Sequence, residues 1–236
     1  MSSSNISTSN GTVSNIATVT VAFFDVDKTI LSCNSASLWI KRELRLGYLS
    51  KKQYAQAIFW LGLYHLGVGR IEDFLRRASL WAKGESVNAL QQRTKEFWET
   101  EVLQHIRAEA VESIRMHQAR GDIVVLLSSA TDYLCELLIT ELDLEHMLCN
   151  RFSASIDHMS VSGVLTEPLC FGAGKVEHAQ QFLDAVGGIW ENSYFYTDSH
   201  SDLPVLDKVG HPKVVAPDPR LRRLAQNRGW TILEWT

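Results

Sequence analysis

The sequence predicts an α/β fold in which a mostly parallel sheet carries a helical segment inserted after its first strand. Three observations support this. Short apolar runs at Val21–Phe24, 123–127 and 193–196 each give way to polar residues, as do strands covered on both faces whose carboxyl ends open along one edge. Long stretches with apolar spacings of three and four separate these runs, and glycines stand where such helices would stop.

Taken in order, residues 2–19 are dominated by Ser, Asn and Thr and carry no charge, so 1–19 is expected to be a flexible tail. It lacks the basic start and apolar core of a secretory signal. The first apolar run then delivers Asp25 and Asp27 to a strand end. Helical patterns follow at 35–46, 51–66, 71–82 and 87–103, punctuated by Gly47, Gly67, Gly69 and Gly84. This assigns 33–103 to an inserted helical unit, and 20–32 together with 104–236 to the core. Residues 58–68 are apolar almost all round, which points to burial within the insert or a homodimer contact, with a greasy wall for substrate as the alternative. The stretch is too short for a membrane span of about 20 residues.

Beyond the insert, the helix Ala108–Arg120 is expected to stop at Gly121, and a strand at 123–127 to precede a helix at 133–141. Residues 147–170 show alternation and turn signals, read as strands around a hairpin near 157–162 with no chemistry of their own. A helix opens at GAGKVEHAQQFL. The last segment supplies a strand, a helix whose Arg220, Arg222 and Arg223 form a solvated face, and a strand at 230–233.

Composition narrows the function. A chain of 236 residues, 45% hydrophobic, suffices for one core domain with an insert. A net charge of −4 and a pI near 6.1 offer no basic footprint for nucleic acid. The four cysteines, Cys33, Cys135, Cys149 and Cys170, show no CxxC pairing. They are expected to be buried thiols in a reducing compartment, so the protein is expected to be soluble and cytoplasmic, without membrane association.

The chemistry lies at the strand ends. Asp25 and Asp27 are separated by one residue, and two such carboxylates work together when a divalent cation screens their repulsion. Ser128 and Ser129 follow the second apolar run, with Ser129 the first choice to face a phosphate oxygen. Lys175 sits near a helix start, where exposed amides already favour an anion. It is not part of a nucleotide-binding P-loop, since Leu169 stands where the first glycine would be and Val176 where Ser or Thr would be. Asp198 and Asp202 lie about one helical turn apart after the third run.

Taken together, DVDKT, the strand-end serine, Lys175 and TDSHSD occur in the order found in the haloacid dehalogenase superfamily of phosphohydrolases. The stretches FFDVDKT and YTDSHSDLPVLDKVGHPKVVAPDPRLRRLAQNRGW resemble the phosphoserine phosphatase-like branch of subfamily IB, over roughly residues 20 to 236. The resemblance implies a Rossmann-like three-layer core and a helical cap of the C1 type. It implies a Mg2+-dependent phosphomonoesterase with Asp25 as nucleophile, forming an aspartyl phosphate, and Asp27 as general acid and base. Thr29, Ser129 and Lys175 would hold the phosphoryl oxygens. Asp25, the Asp27 carbonyl and Asp198 would bind the metal, with Asp202 in support. The implied partner is a small phosphomonoester such as phosphoserine, with histidinol phosphate and a lysophospholipid-like phosphate as alternatives. No acidic and basic pair in the insert is assignable from sequence to an amino acid's ammonium and carboxylate. A non-enzymatic regulator that binds a phosphorylated ligand is the competing class.

Overall fold

The computed structural model describes residues 19–65, 70–155 and 158–236; the predicted tail, apart from Val19, lies outside the described residues. Among these residues, six strands form one parallel sheet in the order β3-β2-β1-β4-β5-β6. The strands are β1 (Val21–Phe24), β2 (Ile123–Thr131), β3 (His146–Asn150), β4 (Tyr194–Thr197), β5 (His211–Val215) and β6 (Thr231–Leu233). Between β1 and β2 run α1 (Ser35–Leu46), α2 (Lys51–His65), α3 (Ile71–Ser79), α4 (Val87–Phe97) and α5 (Ala108–Arg120). Then come α6 (Asp132–Leu142), α7 (Ala173–Val186), the short α8 (Leu203–Leu206) and α9 (Pro219–Arg228).

The first strand shows why the sheet sits between two helical layers. All four of its side chains are fully buried, but the pleat sends them alternately to opposite faces. Ala22 and Phe24 pack with Ile114 of α5 and Leu138 of α6, whereas Val21 and Phe23 pack with Ala179 and Leu183 of α7 and Leu221 and Ala225 of α9. Having β2 on one side and β4 on the other makes β1 central, so its carboxyl end lies where the strand order reverses. That reversal is the place at which open α/β sheets leave a crevice for ligands.

Local signals set the helix limits. Asn34 caps α1 by accepting the Ser37 amide at 2.8 Å, and Gly47 ends it in a left-handed conformation at φ 83°. Asp218 caps α9 through the Arg220 and Leu221 amides, with Pro219 at the first helical position. Arg222 pairs with Glu234, while Arg220 and Arg223 are exposed, so this helix presents the solvated face expected of it. Cys135, Cys149 and Cys170 are buried free thiols and Cys33 is half-buried.

Three expectations need correction, and a fourth is narrowed. β2 runs to Thr131, four residues past its apolar run, because its pairing with β3 is irregular between Leu127 and Thr131. The start of 147–170 is not a hairpin arm, since His146–Asn150 is a parallel strand of the main sheet, lying beside β2. What hairpin pairing exists comes later: Ser153 donates to Val164 at 2.7 Å and Thr166 to Arg151 at 2.8 Å, with residues 156–157 outside the described set. The helix expected over 87–103 closes its α-helical part at Phe97 and continues to His105 in wider and tighter turns. In the apolar segment 58–68, Ile58 and Phe59 are 51% and 62% exposed, so these two side chains are not buried within the chain; 66–69 lie outside the described residues.

One buried polar cluster stiffens the sheet away from the site. His117 of α5 is fully buried, with Nδ1 at 2.7 Å from Asp122 and Nε2 at 3.0 Å from the Tyr196 hydroxyl. An ionised carboxylate only accepts, so Nδ1 carries the proton and Nε2 accepts from the tyrosine. Burial holds the imidazole below its ordinary value of 6.5, although Asp122 pulls upward. The unfolded chain therefore takes up this proton at a higher pH than the folded one. The stabilising contribution is complete above 6.5 and is lost as pH falls below it. Accordingly, the melting temperature should fall between about pH 7 and pH 5, and fall less in His117→Gln; an equal fall in both proteins would show that another group controls the acid limb.

Candidate active site

The ends of β1, β2 and β4 converge on one edge. The Asp25 amide extends the sheet ladder by donating to the Tyr196 carbonyl at 2.9 Å, leaving its carboxylate at the rim, 6% exposed. The chain then turns through the tight loop Val26–Ile30, with Lys28 left-handed at φ 58°. This turn sets Asp27 against the start of α1. Its Oδ1 accepts the Ser35 amide at 2.9 Å and its Oδ2 accepts Asn34 Nδ2 at 3.2 Å. Burial raises the Asp27 carboxyl above its ordinary value, while the Ser35 hydrogen bonds act the other way.

Lys175, the third residue of α7, crosses to the same edge. Its ammonium is buried and donates to Asp25 Oδ1 and to Asp202 Oδ2, each at 2.8 Å. Burial opposes its charge, but Asp202 and Asp25 together outweigh burial and hold the lysine above its usual range. The helix starts this close only because position 174 has no side chain: a Cβ there would sit 1.9 Å from the Leu169 carbonyl oxygen. Asp202 is fixed a second time, by the Thr197 hydroxyl at 2.7 Å.

Backbone ties join the two acidic loops. Thr29 is fully buried and its hydroxyl accepts the Asp198 amide at 3.0 Å. Asp218 donates its amide to the Asp198 carbonyl at 3.2 Å and accepts the His200 amide at 3.0 Å. His200 Nδ1 is buried with no hydrogen-bond partner among the described residues. On the β2 side, Ser128 is 1% exposed and its hydroxyl accepts the Ala130 amide, while Ser129 is half-buried and lines an adjoining cavity. Asn150 donates to the Ser129 carbonyl at 2.7 Å and accepts the Cys170 amide at 2.8 Å, connecting β2 to the segment that leads into Lys175.

Charge is unbalanced here. Burial pushes the Asp25 carboxyl up to about 8, against the pull of Lys175 and with the help of Asp202 and Asp198. Burial likewise raises Asp198 to about 7, with Lys28 opposing and Asp202 adding. One lysine among Asp25, Asp198 and Asp202 leaves an excess of buried negative charge, as suits a hard divalent cation. No three His, Cys, Asp or Glu side chains gather as a complete metal cage among the described residues. Magnesium binds through one or two carboxylates completed by carbonyl, water or ligand oxygen, and the acidic side chains of this rim fit that requirement.

The structure thus brings Asp25, Asp27, Lys175, Asp198 and Asp202 to one rim, with Ser129 beside it and Thr29 beneath. Residues 22–207 match the haloacid dehalogenase-like hydrolase family. The chain belongs to that family. A Mycobacterium tuberculosis protein named as a probable phosphatase is 31% identical over 92% of this chain and 76% of its own length. The crystal structure of a Bordetella pertussis protein of unknown function shares 25% identity, with a TM-score of 0.84, over 92% of this chain and 99% of that one. A phosphoserine phosphatase solved as a phospho-aspartyl intermediate analogue shares the fold, at TM-score 0.68 and 18% identity, over 92% of this chain and 94% of that one. As a haloacid dehalogenase-like hydrolase with a relative named as a phosphatase, the chain is an enzyme. Among the described residues, no helix is long and apolar enough to cross a membrane.

Sequence reasoning missed Asn34, Asn150 and Asp218 as site supports. Asn34 and Asp218 carried a signal, since each is a capping residue just ahead of a helix; Asn150 carried none. The start of α7 permits a direct test. Gly174→Ala should lower the unfolding free energy by about 1–3 kcal/mol in urea titration, because the new methyl group meets backbone and not a yielding side chain; wild-type stability would show that α7 can start farther from Leu169.

Proposed function

We propose that the protein is a magnesium-dependent phosphomonoesterase that works through a phosphorylated Asp25. The observation that supports this most is the buried Lys175 ammonium held between Asp25 and Asp202. It fixes one carboxylate at the rim and leaves a cationic group beside the place where a phosphoryl oxygen would rest.

In the first step Asp25 Oδ attacks phosphorus in line, and the ester oxygen departs as the P–O bond breaks. Asp27 supplies a proton to that oxygen, a role suited to a carboxyl that burial keeps above its ordinary value. In the second step Asp27 takes a proton from water, which attacks phosphorus and releases Asp25 and inorganic phosphate. Lys175 and Ser129 hold phosphoryl oxygens. Thr29 contributes by tying the Asp198 loop to β1. Magnesium, bound by Asp25, the Asp27 carbonyl and Asp198 with Asp202 in support, would screen the charge between nucleophile and phosphate. Residues 33–103 act as a cap over this rim, excluding water from the first step. The substrate is a small phosphate monoester.

With 4-nitrophenyl phosphate and magnesium, Asp25→Asn should reduce turnover at least about a thousandfold. Asp27→Asn should slow it by about a hundred- to ten-thousandfold. A chelator should remove activity and added magnesium restore it. Wild-type turnover in Asp25→Asn would refute the nucleophile assignment.

A further inference from the structure

A cavity of about 240 Å3 opens between α1, α3, α4 and the end of β2. Its mouth lies at the proposed chemistry: Ser129 lines it, and so does Ser35, whose amide holds Asp27. Because Asp27 is assigned to the leaving oxygen, the alcohol half of the ester extends into this space. The walls are mostly apolar, with Trp39, Phe74, Trp81, Phe97, Tyr133 and Phe152 among them.

Among the described residues, three charged ones line the cavity, Glu43, Glu85 and Arg93. The single guanidinium is already engaged. Arg93 Nη2 donates to Glu85 at 2.7 Å, its Nε lies 3.1 Å from Glu43 Oε2 as an ion pair without forming a hydrogen bond, and its Cζ sits 4.1 Å from the centre of the Tyr48 ring. Glu43 is not fully engaged. It is 3% exposed, and its Oε1 has no hydrogen-bond partner among the described residues, with Arg42 Nη1 as an ion-pair partner at 3.9 Å. A buried carboxylate oxygen without a partner is costly unless a ligand supplies one.

The geometry points to Glu43 as a specificity residue that accepts a hydrogen bond from a cationic nitrogen on an aromatic or similarly flat, apolar alcohol, so that the preferred substrates are amine-bearing phosphomonoesters without a free carboxylate. This rests on the phosphatase reading above and adds the class of alcohol to it. Among the described lining residues two carboxylates stand against one guanidinium, which favours a cation, the aromatic part of the wall supplies stacking and cation–π contact to its body, and the guanidinium is already shared between the two carboxylates. Burial pushes the Glu43 carboxyl up to about 7, with Arg93 and Arg42 opposing and Glu85 adding.

The test compares 4-(aminomethyl)benzyl phosphate, 4-methylbenzyl phosphate and O-phosphoserine as substrates, and the two benzyl alcohols as ligands. The wild-type enzyme should favour the amine over its methyl counterpart by about tenfold or more, both in kcat/KM and in alcohol affinity, and should turn over phosphoserine less well than the amine ester. Glu43→Gln should erase the amine preference, and Glu43→Asp, which keeps the charge, should retain it. Equal wild-type use of the two benzyl esters, a preference for phosphoserine, or a preference that survives in Glu43→Gln would overturn the assignment. If none of the three esters is hydrolysed, the phosphatase reading is what fails. The alcohols then decide alone: amine preference in binding upholds the role of Glu43, and equal binding overturns it. Wild-type discrimination answers the question even where a variant does not fold.

Discussion

A single buried ammonium joins three distant parts of the chain. Lys175 is 150 residues from Asp25 and 27 from Asp202, yet Nζ donates to both at 2.8 Å. Burying a charged group is tolerable only when paired and hydrogen-bonded, and removing one partner of such a set leaves an uncompensated charge. The ends of β1 and β4 and the start of α7 are therefore constrained together. Gly174 permits the approach, while Thr197, Thr29 and Asp218 keep the acidic loop from drifting away. The sheet order makes this possible by placing β1 between β2 and β4, where the crevice opens.

The two sides of that crevice have different character. The rim is crowded with carboxylates that burial holds above their ordinary range, an arrangement that fits the proposed metal and phosphate. The adjoining cavity is mostly apolar, with one short charged cluster on α1 and α4 and in the turn before α4. Asp27 stands between the two regions through its hydrogen bonds to Asn34 and Ser35. In the proposed mechanism, proton delivery and choice of alcohol would therefore depend on the same helix, α1, whose first turn holds Asp27 and whose third turn carries Glu43.

Much of this was legible in the sequence, for identifiable reasons. The four apolar residues of β1 followed by Asp25 announced a buried strand end, and the ordered company of Asp27, Lys175, Asp198 and Asp202 gave that end a chemistry. Gly47 and Gly121 marked helix stops that the structure has. Other features depend on partners far away in the chain. The extension of β2 through Ser129 reflects irregular pairing with β3, which no local pattern encodes. Asn150 matters because it meets Ser129 and Cys170. Glu43 and Arg93 read as ordinary charged residues of surface helices, and only packing reveals that they are buried and face a cavity.

The central claim is that the carboxylate held by Lys175 carries the phosphoryl group during turnover. The most direct measurement is borohydride reduction of enzyme quenched while hydrolysing a phosphate ester, followed by mass spectrometry of the peptide containing Asp25. An acyl phosphate at that position would be reduced to homoserine, in a substrate-dependent way, and this is the predicted result. Active enzyme whose Asp25 stays unreduced while turnover proceeds, or modification of a different carboxylate, would contradict the account.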